Sequence, residues 1–141
     1  MDDPLLPNIM QISYSLDRIP SPEQVIELYE NAGLVRPTND PERIRKMYEN
    51  ADLIVTAWDG DLLVGVSRSI TDWVYCCYLS DLAVRQEYQN LHIGKTLIEL
   101  TKEKVGDQSM LLLISVPSAL EYYPKVGFTK QESSFIMNRT V

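Results

Sequence analysis

The segment from Asp81 to Thr96 constrains the fold of this chain more than any other. Its composition predicts the end of an apolar strand over residues 81–84, a short polar loop over residues 89–92 and a helix from Ile93 onward. The first turn of a helix leaves backbone N–H groups without partners inside the helix, and they point back at the loop. Together with the positive end of the helix dipole, these groups form a site for an anion.

The length and composition predict one globular domain that spans residues 1–141. Apolar residues make up 45% of the chain and charged residues 23%, which is ordinary for a soluble protein. No apolar run approaches the roughly 20 residues of a membrane helix, and Met1-Asp2-Asp3-Pro4 lacks the pattern of a signal peptide. We therefore expect a cytoplasmic protein that has no membrane partner.

The net charge of −7 argues against nucleic acid as a partner, because such proteins carry a basic surface. The same charge is compatible with a cationic substrate such as an amine. The chain has two cysteines, which are the neighbours Cys76 and Cys77, and one histidine, His92. Adjacent cysteines in a strand point to opposite faces, so we expect two reduced thiols. Neither these residues nor their spacing predicts a metal site.

The remaining pattern predicts helices on a mostly antiparallel sheet. Ser21-Pro22 marks a helix start and Gly33 its end, the next helix starts after Asn39 or Asp40 with Pro41 in its first turn, and Asp59-Gly60 marks a hairpin turn. The predicted strands cover residues 9–16, 53–58, 62–70, 73–84, 110–116 and about 133–139. A helix over residues 93–105 joins the strand that ends at Val84 to the apolar run 110–116 in a βαβ unit, and a short helix is predicted from about Ser118.

A second motif, Tyr123-Pro124-Lys125-Val126-Gly127-Phe128, lies one crossover after the first. Tyr122 precedes it and is better explained as a core residue. Pro124 lacks an amide donor and biases Tyr123 away from helical angles. Tyr123, three residues and then Gly127-Phe128 match in full a motif of the GNAT superfamily, which this chain resembles, and the resemblance implies a functional role for this tyrosine.

The order of elements and the two motifs resemble the GNAT superfamily of acetyl-CoA-dependent N-acetyltransferases. In that family Gln or Arg is followed after two residues by Gly, and after one more by Gly or Ala. Gln89 and Gly94 fill this pattern, and Leu82-Ala83-Val84 is typical of the strand before it. His92 stands where the first glycine is usual. It would be neutral if the local φ were negative, and would weaken phosphate binding otherwise.

The resemblance, which covers nearly the whole chain, implies a mixed α/β fold of the α+β class. This fold has a mostly antiparallel sheet with a central splayed pair of parallel strands, and helices on both faces. The pantetheine arm of acetyl-CoA would pair with the backbone of Leu82 and Val84, and its diphosphate would lie on the loop and helix start. The cofactor-binding residues implied are Leu82, Ala83, Val84, Gln89, Asn90, Leu91, His92, Ile93, Gly94, Lys95 and Thr96.

The resemblance further implies direct transfer of an acetyl group to a primary amine of a small molecule or peptide. Tyr123 would donate a proton to the departing thiolate, and the N–H of Leu82 is a candidate to stabilise the oxyanion. Asp81 is the candidate catalytic base, with a solvated acid and a water chain ending on Ser80 or Asp81 as alternatives. A route through an acyl-cysteine has no base beside Cys76 or Cys77. A non-catalytic acyl-CoA-binding or regulatory module is the alternative function, and a homodimer remains open.

Overall fold

The computed structural model describes residues 11–141, which form a mixed five-stranded sheet with helices on both faces. The strands are β1 (Ile12–Ser15), β2 (Leu53–Asp59), β3 (Leu62–Thr71), β4 (Cys76–Val84) and β5 (Met110–Leu112). The helices are α1 (Pro22–Ala32), α2 (Pro41–Glu49) and α3 (Ile93–Val105), and short 3₁₀ turns cover Gln86–Tyr88, Pro117–Ala119 and Tyr123–Val126. The strands lie in chain order, and neighbours are antiparallel except for β4 and β5, which are parallel.

The helix boundaries predicted from local signals are confirmed. The side chain of Ser21 accepts a hydrogen bond from the amide of Gln24, and the Gln24 side chain accepts one from the Ser21 amide in return. Gly33 ends α1 in the left-handed conformation with φ 74°. The Asp40 side chain caps α2 through the amide of Arg43. These caps fix the loop between α1 and α2, which carries Arg36.

The sheet separates two apolar clusters, because neighbouring residues of a strand face opposite sides. On one face α1 and α2 pack Leu28, Tyr29 and Ile44 against Trp58 and neighbouring strand residues. On the other face α3 packs against the opposite side of the same strands, and that cluster contains Val55, Ala57, Val64, Ile93 and Leu97. The central strands are therefore buried on both faces.

Three predicted strands are confirmed over only part of their length. The strand predicted from residue 73 begins at Cys76, because Asp72 accepts hydrogen bonds from the amides of Val74, Tyr75 and Cys76 and folds residues 72–75 into a turn. The run 110–116 forms a strand only over Met110–Leu112. Of the first predicted strand, residues 12–15 are confirmed, and Ile9 and Met10 lie outside the described residues, as does the start of the chain.

The predicted strand over residues 133–139 is wrong, since the structure has no strand there. A strand needs a neighbour for its backbone hydrogen bonds, and this segment is exposed along its whole length, with Phe135 at 98% and Met137 at 99%. The helix predicted from about Ser118 is replaced by two 3₁₀ turns. Because nothing after Leu112 joins the sheet, the parallel pair lies at one end of the five strands rather than at their centre.

Candidate functional site

Strands β4 and β5 pair only over their first residues. The partners are Cys76 with Met110, Cys77 with Leu111 and Tyr78 with Leu112, after which β4 continues to Val84 and β5 has ended. Residues 79–84 of β4 therefore have no strand partner on the β5 side, whereas all of them except Ser80 pair with β3. A backbone edge of this kind can accept an extended, amide-rich ligand as an added strand.

A β-bulge lies where the two strands part. Leu79 pairs with Ser69 and Asp81 pairs with Arg68, so that Ser80 has no partner on β3. A bulge bends its strand and increases the local twist. The bulge therefore changes the direction of β4 two residues after Tyr78, which is the last residue that pairs with β5.

The loop after β4 contains two residues with left-handed backbone angles. Asn90 has φ 67° and His92 has φ 62°. Asparagine tolerates this conformation better than most residues, and histidine adopts it less often than glycine. The alternative that His92 would be neutral because of a negative φ is therefore wrong. The backbone at this position has the conformation that favours glycine, and His92 adopts it at a cost.

Hydrogen bonds from Thr96 to the carbonyl of the N-cap residue close the first turn of α3. His92 is the N-cap residue and makes no side-chain capping hydrogen bond. Both the amide and the hydroxyl of Thr96 donate to the His92 carbonyl at 3.0 Å. The Gln89 side chain closes the loop from the other end, since its Nε2 donates to the Val84 carbonyl at 3.0 Å. The Lys95 ammonium is half exposed and lies 3.9 Å from Glu99.

The second motif lies beside this helix start. A Cβ atom placed on Gly94 would lie 3.5 Å from the Tyr122 hydroxyl oxygen and 3.7 Å from Val84 Cγ2. The ring of Tyr123 is half-buried and packs edge-on between Tyr122, at 5.3 Å, and Phe128, at 5.6 Å. Burial raises the pKa of Tyr123, and the neighbouring phenol of Tyr122 adds to the effect. Tyr123 therefore stays a proton donor at neutral pH.

Asp81 lies at the centre of a buried cluster that also contains Arg36, Arg68, Tyr29 and Tyr48. Arg36 Nε donates to Asp81 Oδ1 at 2.6 Å, and Arg68 Nε donates to Oδ2 at 2.7 Å. The Tyr29 hydroxyl donates to Oδ2 at 2.7 Å and lies 2.5 Å from the Tyr48 hydroxyl. The side chain of Asp81 is fully buried, that of Arg68 is 9% exposed and that of Arg36 is 28% exposed.

The two arginines of this cluster also bind Ser80, the residue of the β-bulge. Arg36 Nη2 donates to the carbonyl of Ser80 at 2.7 Å, and Arg68 Nη2 donates to its hydroxyl at 3.1 Å. That hydroxyl in turn donates to Asp81 Oδ1 at 3.2 Å. Both polar groups of Ser80 are thus fixed by guanidinium groups, which ties the loop between α1 and α2 to the point where β4 leaves β5.

Charge in this cluster determines the ionisation of Asp81. Burial by itself raises the pKa of the carboxyl group, but the hydrogen bond and charge of Arg68, the charge of Arg36 and the Tyr29 hydroxyl outweigh it and lower the pKa below 3.8. Burial raises the pKa values of Tyr29 and Tyr48 far above neutrality, so both phenols stay protonated. Asp81 is therefore ionised at neutral pH, and both of its oxygens already accept hydrogen bonds.

Sequence reasoning placed Asp81 at the site but missed what surrounds it. It did not assign Arg68, Tyr48 or the bulge at Ser80, and it attached no specific role to Tyr29 or Arg36. One signal was present: Arg68 and Asp81 are charged residues inside otherwise apolar strands, and such positions are buried and need an opposite charge.

The cysteines lie in the paired part of β4, before the strands separate. Cys76 is exposed and Cys77 is buried, and both are free thiols. Burial raises the pKa of Cys77. A thiol of this kind is a weak nucleophile at neutral pH, which disfavours an acyl-cysteine route through Cys77.

Three further observations concern the site and its surroundings. Within residues 11–141 no group of three or more His, Cys, Asp or Glu side chains could hold a metal ion, and no helix is long and apolar enough to cross a membrane. A cavity of about 450 Å³ lies between α2, the β1–α1 loop and the start of β2. Its lining contains no residue of β4 or of the α3 N-terminus, so it is separate from the edge described above.

The chain matches known proteins over most of its length. Residues 21–140 match the family model of the acetyltransferase (GNAT) domain. A probable acetyltransferase of unknown function from meticillin-resistant Staphylococcus aureus shares 30% sequence identity and superposes with a TM-score of 0.81, covering 92% of this chain and 99% of that one. None of the curated proteins matches.

More distant solved structures share the fold. A GNAT-family acetyltransferase from Streptococcus pneumoniae is 24% identical with a TM-score of 0.70, covering 91% of this chain and 98% of that one. An aminoglycoside acetyltransferase from an uncultured soil metagenomic sample, in complex with sisomicin, is 20% identical with a TM-score of 0.66, covering 94% of this chain and 97% of that one.

Proposed function

The chain belongs to the GNAT acetyltransferase family, and from this premise we propose that it transfers an acetyl group from acetyl-CoA to a primary amine of a small molecule or peptide by direct attack. The observation that carries the proposal is the separation of β4 from β5 after Tyr78 and Leu112, beside a helix start without a side-chain cap. These features offer a backbone edge for an amide-rich arm and N–H groups for a diphosphate.

The residues present fit acetyl-CoA, which supplies the acetyl group as an activated thioester when bound. The backbone of Leu82, Ala83 and Val84 offers the edge for pantetheine, although the Val84 carbonyl already accepts from Gln89. The amides of the loop and of the first turn of α3 would face the diphosphate, except for the Thr96 amide, which donates to the His92 carbonyl. The residues proposed for that contact are Gln89, Asn90, Leu91, His92, Ile93, Gly94, Lys95 and Thr96.

Tyr123 acts as the general acid in this proposal. Its raised pKa keeps the phenol protonated, and it lies next to Tyr122, whose hydroxyl is close to Gly94 at the helix start. A thiol has a pKa of about 8.5 and a phenol one of about 10, so proton donation to a thiolate is uphill by more than that difference. The contribution of Tyr123 therefore comes from holding the proton in place near the leaving sulfur.

The amine must lose a proton before it attacks, and the cluster around Asp81 limits which group takes it. Asp81 is a weak base, because its pKa is lowered and its oxygens already accept from Arg36, Arg68 and Tyr29. In this proposal a water that donates to the Ser80 hydroxyl takes the proton from the amine and passes it to solvent. In this proposal Asp81 contributes by fixing the two arginines and, through them, the bulge.

Binding of CoA tests the proposal before any acceptor is known. We expect calorimetry to show binding of CoA, and saturating CoA to stabilise the folded chain by about 2.7 kcal/mol at a ligand concentration a hundredfold above Kd. Pantetheine probes the β4 edge alone and ADP probes the helix start alone. The absence of both heat and thermal shift at millimolar CoA would reject the proposal.

Turnover is measured as release of free thiol from acetyl-CoA with a panel of primary amines. Release that depends on the amine supports transfer. Tight binding of CoA with no release for any amine supports instead the non-catalytic acyl-CoA-binding module. The observation that favours this second function is the costly left-handed conformation of His92 in the diphosphate loop.

A further inference from the structure

We propose that Arg36 binds the carboxylate of the acceptor, so that the preferred acceptors are amines that also carry a carboxylate, such as amino acids or peptides with a free C-terminus. The inference rests on the proposed acetyl transfer and names the substrate class of the same site. It starts from the charge balance of the cluster around Asp81, which contains two guanidinium groups and one carboxylate.

The cluster has an uncompensated positive charge. Among residues 11–141, Asp81 is the only carboxylate within 4.0 Å of either Arg36 or Arg68, which leaves a net charge of +1 (two cations, one anion). Buried charges are normally paired, because removing an ion from water is costly. In a chain whose net charge is −7, this local excess of positive charge is opposite to the charge of the whole protein. An anionic ligand would balance it.

Arg36 is the member of the cluster that can reach a ligand. Its side chain is 28% exposed, against 9% for Arg68 and none for Asp81. Three of its N–H groups donate within the chain, to Asp81, to the carbonyl of Val35 and to the carbonyl of Ser80. A guanidinium has further N–H donors on its terminal nitrogens, and their planar geometry suits a carboxylate.

The position of Arg36 relative to β4 places this charge beside the reaction site. Its Nη2 is 2.7 Å from the carbonyl of Ser80, the bulge residue just after the last pair between β4 and β5. The guanidinium group of Arg36 therefore lies next to the edge of β4 at which a thioester would be held. Contacts with Asp81 and Ser80 hold the guanidinium in place, so little side-chain entropy is lost on binding.

The positive cluster also affects the amine. A nearby cation disfavours the protonated form of an amine and so increases the fraction that can attack. The same charge repels an acceptor that carries several ammonium groups. The cluster therefore favours an amine that brings its own carboxylate over a polyamine.

The test compares two acceptors that differ in one charge. A dipeptide with a free C-terminal carboxylate and the same dipeptide with a C-terminal amide have similar N-terminal amines. Thiol release gives kcat/KM for each, and calorimetry gives the affinity of each with and without CoA. For the native chain we expect the carboxylate form to be favoured on the order of tenfold in both measurements, as for a charge-assisted hydrogen bond.

Variants assign the preference to Arg36. Arg36→Gln should reduce the ratio between the two dipeptides to near one, and Arg36→Lys should keep part of it, because the charge remains and the planar pair of donors is lost. Arg43→Gln, on the exposed surface of α2, should keep the full ratio and is the matched control. Circular dichroism verifies that each variant is folded.

Each outcome decides the inference. Equal kcat/KM and equal affinity for the two dipeptides in the native chain would overturn it, as would an equal loss for both in Arg36→Gln, which would indicate a structural role only. Arg36-dependent affinity for the carboxylate without thiol release would support the anion site and reject the transferase. Thiol release that ignores the carboxylate would support the transferase and reject the anion site.

Discussion

Arg68 and Asp81 face each other across β3 and β4 and form a buried ion pair, with Arg68 Nε 2.7 Å from Asp81 Oδ2. The pair is adjacent to Ser80, whose hydroxyl accepts a hydrogen bond from Arg68 Nη2. A buried pair contributes little net stability over an apolar pair, but the loss of one partner is expensive because the other charge remains buried. The geometry of the bulge and the stability of the sheet therefore depend on the same two residues.

Asp81→Asn should reduce the free energy of unfolding by about 3–5 kcal/mol, since it leaves the guanidinium groups of Arg36 and Arg68 without a counter-charge. Urea denaturation measures the difference. The control is Asp61→Asn, because Asp61 is fully exposed and solvent screens its pair with Arg18, so that stability should hardly change. A loss below about 1 kcal/mol for Asp81→Asn would show that the buried pair does not have this role.

The stability of the native chain should fall in acid because of Asp81. Its pKa in the folded state is lowered below 3.8, so its contribution is fully present above the unfolded value and is lost as the pH falls through the folded value. We expect urea midpoints to decrease below about pH 4, with a shallower decrease in Asp81→Asn. Equal acid slopes for the two proteins would assign the acid sensitivity to other carboxylates.

The elements predicted correctly are those with local signals. Ser21, Asp40 and Gly33 act within one helical turn, and residues 93–105 show a helical apolar face that does not depend on the rest of the fold. The strand over residues 133–139 was predicted from its composition alone, and a strand depends on a distant partner.

The candidate site also has one part that the local sequence predicts and one part that it does not. The loop and helix start at residues 89–96 are continuous in sequence and could be recognised there. The cluster joins Arg36, Arg68 and Asp81, and Arg36 is 45 residues from Asp81 in the chain. This contact forms only when the loop after α1 packs on β4. The sequence pattern near either residue therefore does not predict it.

His92→Gly should stabilise the chain by about 1 kcal/mol, because a residue with a side chain adopts φ 62° at a cost that glycine does not have. Affinity for CoA should stay the same or increase. His92→Ala is the matched control, since it removes the imidazole but retains a Cβ, and it should give no such gain. A large loss of CoA affinity in both variants would show instead that the imidazole itself contacts the cofactor.

Gly94→Ala should separate folding from ligand binding. A methyl group there would lie 3.5 Å from the Tyr122 hydroxyl and 3.7 Å from Val84, which are ordinary contacts, so stability should be retained. CoA affinity should fall if the diphosphate approaches this backbone closely. Gly65→Ala gives the contrast: its Cβ would lie 3.0 Å from Leu97 Cδ1, and stability should drop by about 1–3 kcal/mol. Unchanged CoA affinity in Gly94→Ala would place the diphosphate elsewhere.

Tyr123→Phe should lower kcat by about a hundredfold or more and spare CoA affinity, because it removes a proton donor and keeps the ring that packs between Tyr122 and Phe128. Since burial raises the pKa of Tyr123, the native chain should keep this phenol protonated throughout the neutral range, and the proposed activity should be lost only above about pH 10. Thiol release measured against pH gives both quantities. Tyr75→Phe, at an exposed turn, is the matched control and should leave kcat unchanged. An unchanged kcat in Tyr123→Phe would remove this tyrosine from the mechanism, and water would then be the proton donor.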